Sequence, residues 1–180
     1  DLGLDRDSVV VITGGARGIT ARVAEGLARA TPCRIVLVGR SPFPDDAEDP
    51  RTAVATDRQH LRRALLEIGA LKTPHEIEAA CNRIEADREM RHTIEVLESF
   101  GAEVVYAAVD VRSPEFGALL DQVHERFGRL DGVIHGAGVL DDHFIRDKTL
   151  EGFDRVFGTK VDGARTLARV DEVAQAGHAQ

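Results

Sequence analysis

The stretch VVVITGGARGIT, Val9 to Thr20, decides how the rest of the chain is read. Its β-branched run suits a strand buried on both faces, because no alternate position turns to water. The run ends in a glycine turn and opens into a helical pattern over 18–30, the context that a phosphate-cradling loop requires. Thr13, Gly14, Gly15, Arg17, Gly18 and Ile19 are the loop's candidate binding residues. Gly14 lets the chain turn sharply, and Gly18 starts the helix whose first N–H groups can face a pyrophosphate. Arg17 stands where a glycine would be unremarkable. It needs no positive φ if only its backbone lines the loop, and its guanidinium can meet a phosphate through two parallel bonds. Thr20 replaces the glycine that usually lets helix and strand close up, so looser packing is expected there.

Working outward, strand-like and helix-like segments alternate. Further buried strands are expected at RIVLVG (34–39), AEVVYAAVD (102–110) and DGVIHGAG (131–138). The first helix sets Val23 and Leu27 on one face. SPEFGALLDQVHERFG carries Phe116, Leu119, Leu120, Val123 and Phe127 at helical spacing, and Gly128 ends it. This β–α alternation predicts an α/β fold: a Rossmann-like, doubly wound parallel sheet with right-handed crossovers. The connection over 42–92 is far longer than one crossover helix and reads as a helical insertion. PFPDDAEDP is an acidic, proline-rich loop, a helix is expected over 56–68, and TPHE (73–76) is a capping box opening a helix that can run to Phe100. On that helix Ile77, Cys81 and Ile84 form one stripe and Met90, Ile94 and Leu97 an offset second. The insertion is expected to be a structural or docking addition. A last helix from about Thr149 places Leu150, Phe153, Phe157, Val161, Ala164 and Ala168 on one side. The tail DEVAQAGHAQ offers no fifth strand, so the sheet is expected to be truncated, with an uncovered flank prone to self-association.

Composition narrows the class. The 180 residues are 43% hydrophobic and 30% charged with a net charge of −8, and no basic stripe offers a nucleic acid partner. No apolar run is long enough to span a membrane, and DLGLDRD is not a signal peptide. Cys33 and Cys81 suit reduced thiols in the cytoplasm. The histidines lack metal-ligand spacing, so no metal is expected, and no nucleophile elbow is present. Lysines are scarce, at Lys72, Lys148 and Lys160 only.

The later strand ends fit the same cradle. The second strand closes with Gly39, Arg40 and Ser41 and meets no acid before Asp45. An acid there would take a ribose hydroxyl and repel a 2′-phosphate, whereas Arg40 would pair with it, so NADP(H) is the expected cofactor. Asp110 can accept a hydrogen bond from the adenine amino group, with Val111 beside the ring. Gly136, Ala137 and Gly138 let backbone approach the cofactor's ribose.

The spacing TGxxxG resembles short-chain dehydrogenases and reductases. The set TGGARGIT, VGRSP, REMRHTIEVLESFGAEVVYAAVDV, GVIHGAGVLDD and GTKVDGARTL resembles the ketoreductase domains of type I polyketide synthases, with a closer likeness to polyunsaturated fatty acid and enediyne synthases. That resemblance implies NADPH-dependent reduction of a β-ketoacyl thioester to a β-hydroxyacyl thioester. The substrate would be delivered by an acyl carrier protein among other synthase domains. It maps Lys160 onto the lysine of the family's Lys-Ser-Tyr-Asn set, orienting the cofactor or tuning the tyrosine. It also maps Leu140, Asp141 and Asp142 onto the LDD signature that steers the substrate, which implies a 3R hydroxyl. From the residues alone, Lys160 reads as a snorkelling lysine and the aspartates as a turn or cap.

The chain ends twenty residues after Lys160, before the family's serine and tyrosine would fall. Tyr106 lies inside a strand and is no substitute. Without that proton donor the chain, as the N-terminal cofactor-binding part of such a domain, is expected to be inactive by itself. A non-catalytic NADP-binding or scaffolding module of the same fold is the competing reading, and a stand-alone short-chain reductase a third.

Overall fold

The computed structural model describes residues 3–44, 47–71 and 73–177. Asp45, Lys72 and the last three residues of the tail lie outside the described residues. Two compact units divide the chain, one of residues 1–42 and 93–180, the other of residues 43–92.

The first unit is built on four strands, β1 (Val9–Thr13), β2 (Arg34–Gly39), β3 (Glu103–Ala108) and β4 (Gly132–His135), joined in parallel in the order β3-β2-β1-β4. Parallel neighbours need crossovers, and α1 (Gly18–Ala30) supplies the first. The order runs one way from β1 to β3 and reverses to reach β4. Right-handed crossovers therefore place helices on both faces and open a crevice where β1 and β4 part. On one face Val9, Val11, Val36 and Val38 pack with Phe116, Leu120 and Val123 of α5 (Pro114–Phe127) and with Leu167 of α6 (Leu150–Gly177). The other face carries Val10, Ile12, Ile35 and Leu37, all buried. At the rim, Asp131 accepts the Val9 N–H at 2.8 Å and is clasped by Arg129, which fixes β4 against β1.

The second unit holds α2 (Pro50–Ala53), α3 (Arg58–Ile68) and α4 (Pro74–Ser99) as far as His92. Asp57 caps α3 by accepting the His60 N–H, and Gly69 ends it in the left-handed conformation. The capping box forms as written: Thr73 N–H donates to Glu76, and Glu76 N–H donates to the Thr73 hydroxyl. Leu61, Leu65, Ile77 and Cys81 form this unit's own core. Arg88 ties its loop down through Glu48 and the carbonyls of Thr52 and Ala55.

Three readings need correction. In α1 the buried residues are Ala21, Ala24 and Ala28, whereas Val23 is 45% exposed; small side chains let a helix lie close to a sheet. In α6 the buried positions are Gly152, Gly158, Thr159, Gly163 and Leu167, while Leu150, Phe153 and Phe157 of the apolar stripe face out. Hydrophobic periodicity marks a helix correctly but here marks its outer side. Thr20 does not loosen the packing: a Cβ on Gly136 would fall 2.4 Å from the Thr20 side chain, so the glycine has moved to the partner loop.

Candidate functional site

The loop after β1 is shaped by two glycines. Gly14 has φ +70°, and a Cβ on it would lie 2.9 Å from the Ala137 backbone nitrogen, so the turn presses against the loop leaving β4. Its N–H donates to the Val38 carbonyl at 2.7 Å. Gly18 takes φ +63° with open space around it. Arg17 between them is extended (φ −150°, ψ 161°), so an arginine is tolerated without strain. The Arg17 side chain makes no capping bond and no acid lies in the first turn of α1, so the positive helix end is not offset by a carboxylate of its own first turn.

Tyr106 of β3, set aside in the sequence as a proton donor, reaches the end of β2. Its hydroxyl donates to the Ser41 carbonyl at 2.6 Å, and a Cβ on Gly39 would fall 2.6 Å from the Tyr106 hydroxyl oxygen. Burial pushes the Tyr106 hydroxyl above its ordinary pKa, with the Arg17 charge pulling the other way. The Asp110 carboxyl is held below its usual value first by hydrogen bonds from Arg112; burial opposes this, and Arg40 adds its charge. Tyr106 and Asp110 thus each feel the charge of an arginine that follows a strand end, Arg17 and Arg40 in turn. Asp110 is already bonded by Arg112 through Nε, Nη2 and the backbone N–H, yet a carboxylate has lone pairs for a further donor. Val111 is buried beside Gly163.

Where β1 and β4 part, the Thr13 hydroxyl lies 2.7 Å from His135 Nδ1 and accepts the Ala137 N–H. His135 Nε2 lies 3.0 Å from the Lys160 carbonyl oxygen. The Lys160 side chain passes over Gly138, where a Cβ would meet Cε at 3.2 Å and Nζ at 3.4 Å. A cavity of about 490 Å³ is lined by Leu140, Asp141, Asp142, His143, Phe153 and Lys160 among others. Asp141 is inward and paired with Arg155 and with His143 at 2.9 Å, whereas Asp142 is exposed and Leu140 is 91% exposed. A Cβ on Gly152 would meet Asp141 at 2.6 Å. So the triplet and the lysine, eighteen residues or more apart, share one cavity. Among the described residues no group of His, Cys, Asp and Glu could hold a metal ion, and no helix is long and apolar enough to cross a membrane.

A parallel 3-2-1-4 sheet with a TGxxxG loop at its switch point defines a Rossmann-type short-chain dehydrogenase/reductase. The chain matches the KR domain over residues 8–176 and belongs to that ketoreductase family. It is 30% identical to a polyunsaturated fatty acid synthase polypeptide of Thraustochytrium sp. (strain ATCC 26185 / S-3), over 97% of this chain and 7% of that protein. A ketoreductase domain from the bacillaene assembly line superposes with a TM-score of 0.63 at 31% identity, over 94% of this chain and 30% of that one. An N-terminal ketoreductase from the macrolactin assembly line gives 0.65 at 28%, over 94% and 26%. The chain therefore spans a small part of the length of the relatives it matches.

Proposed function

We propose that residues 1–180 form the N-terminal, NADP-binding part of a ketoreductase domain, with 42–92 as its helical insertion. The domain would act in the cytoplasm within a multidomain synthase. The reaction is reduction of a β-ketoacyl thioester on an acyl carrier protein to the (3R)-hydroxyacyl thioester. One observation carries the reading: the cavity that holds Leu140, Asp141, Asp142 and Lys160 adjoins Gly138, on the loop that also presses on Gly14.

The residues fit the cofactor. The Gly14 turn has no room for a side chain, the Arg17 side chain makes no capping bond to α1, and Arg17 and Arg40 follow the ends of β1 and β2. When bound, NADPH would supply a hydride to the ketone carbon. The chain's own part is to bind and orient. Gly14, Gly15, Gly18 and Ile19 would present backbone to the pyrophosphate, while Arg17, Arg40 and Ser41 take the 2′-phosphate. Asp110 and Val111 would hold the adenine, and Gly136 to Gly138 would let the ribose approach. Lys160 would place an ammonium beside that ribose, and Asp142, free of the pairing that occupies Asp141, would guide the substrate. The proton donor is not among these residues, so we infer cofactor binding without turnover by this chain.

Calorimetric titration with NADPH and NADH tests the reading. Preferential NADPH binding is expected, and Arg40→Ala should remove the preference by about ten- to a hundredfold, the worth of a charged hydrogen bond. Equal binding of both dinucleotides, or none by a folded chain, would overturn it.

A further inference from the structure

Resting on that reading of Lys160, we propose that His135 is a positioning residue that holds the turn of α6 carrying Lys160 against the end of β4. Thr13 and His135 are register partners on adjacent parallel strands, so their side chains stand on one sheet face, the face that α6 covers. The hydrogen bonds run in a single sense. A carbonyl only accepts, so the 3.0 Å contact to the Lys160 oxygen requires a proton on His135 Nε2. In the neutral ring Nδ1 then carries the lone pair and accepts a hydrogen bond from the Thr13 hydroxyl at 2.7 Å. The Thr13 oxygen in turn accepts the Ala137 N–H at 3.2 Å. One ring thus ties the end of β1, the glycine loop after β4 and the backbone of Lys160 into one unit.

Packing is built for this ring. A Cβ at Gly163 would fall 2.7 Å from His135 Cε1 and 3.1 Å from Nε2, so α6 gives up a side chain to seat the imidazole. One turn away, the Lys160 side chain crosses Gly138, two residues beyond the Gly136 that follows β4. The backbone of Lys160 is therefore fixed from one side by His135 while its side chain runs along the loop that His135 and Thr13 also hold. A lysine in solution samples many rotamers; a lysine whose backbone and stem are both located loses less freedom when its ammonium meets a ligand.

The test uses spectroscopy that a purely structural role would not move. Lys72, Lys148 and Lys160 are the only lysines, so ¹³C-dimethylation, which keeps the charge, gives resolvable side-chain signals. In the wild-type chain, long-range ¹H–¹⁵N spectra should place the His135 proton on Nε2; a bare Nε2 with a proton on Nδ1 overturns the proposal. His135→Phe keeps the ring's shape without either bond, and the Lys160 signal should shift and broaden while that of Lys148 stays. His135→Gln keeps an N–H donor on a side chain of similar reach and should restore it. An unchanged Lys160 signal in folded His135→Phe overturns the proposal. The tautomer measurement needs no variant, so it decides even where the phenylalanine variant does not fold. NADPH titration forms a separate arm: affinity should fall about three- to tenfold in His135→Phe and recover in His135→Gln. A wild-type chain that ignores NADPH would sink the cofactor reading alone, because the spectra of the free chain still judge His135.

Discussion

Replacing Gly14 by alanine, with Gly18→Ala as its control, separates two reasons for a glycine. Both residues sit at nearly the same left-handed φ, +70° and +63°. An L residue there costs about 1–2 kcal/mol, of which the stiffer unfolded chain returns about 0.4–1 kcal/mol. At Gly18 nothing lies within 4 Å of the added methyl, so the net loss should be about 0–1.6 kcal/mol. At Gly14 the methyl would sit 2.9 Å from Ala137 N and 3.0 Å from both Ala137 Cα and Gly136 C. These are backbone atoms of the loop leaving β4 and cannot rotate away, so overpacking adds about 1–3 kcal/mol. Gly14→Ala should therefore be less stable than Gly18→Ala by that margin. Urea unfolding followed by tyrosine emission reads the sheet unit selectively, because Tyr106 on β3 is the one tyrosine and the chain has no tryptophan. Equal midpoints for the two variants at equal m-values would refute the close approach of the two loops. Arg17→Gly belongs in the same series: at an extended N-cap it should leave stability nearly unchanged while weakening NADPH binding.

Other perturbations reach other parts. The Arg88 hydrogen bonds hold the Glu48 carboxyl below its ordinary 4.5, with burial opposing. A lowered folded pKa means stability present above that value and lost as pH falls through the folded one, so far-UV helix signal should decline on acidification below about 4.5, less steeply in Glu48→Gln. Asp141→Ala frees the loop over 139–149 from Arg155 and removes the pairing with His143 inside it. Because Arg155 is partly exposed, about tenfold faster amide exchange confined to that loop is the expected scale. Tyr106→Phe removes the donor to the Ser41 carbonyl; stability should fall by about 0.5–1.5 kcal/mol and the NADPH-to-NADH ratio by a few-fold, read by circular dichroism and calorimetry.

Much of the fold was legible because buried parallel strands announce themselves. RIVLVG and the β-branched run at 9–13 became β2 and β1. Helix ends were equally readable where a capping chemistry stood in the sequence, as at Thr73 and Gly128. The faces of α1 and α6 were not, and for one reason. Periodicity reports which residues are apolar, while a sheet accepts the helix side that lets two backbones approach. Ala24 and Gly163 pack inward against this rule of thumb, and Val23 and Phe157 stay out. The candidate site was legible as a list of strand ends and loops. Its supporting pairs were not, because Thr13–His135 and Asp141–Arg155 become neighbours only through register and topology.

Those supporting pairs share a physical pattern. At five places a glycine's missing Cβ is the seat of a side chain belonging to the site: Gly39 for Tyr106, Gly136 for Thr20, Gly138 for Lys160, Gly152 for Asp141 and Gly163 for His135. In each case that side chain lies against backbone that carries no Cβ, so the glycine's backbone limits where it can go. This is a rigid way to aim a group, and it costs helix stability, since Gly152 and Gly163 sit inside α6 at about 1 kcal/mol each relative to alanine. A helix chosen for stability alone would carry alanine at both. The geometry of α6 therefore makes sense as a holder for Asp141 and His135, and through His135 for Lys160. Its inward face shares core packing through Leu167 with the seating of His135 and Asp141, while Phe153 and Phe157, about half exposed, border the cavity.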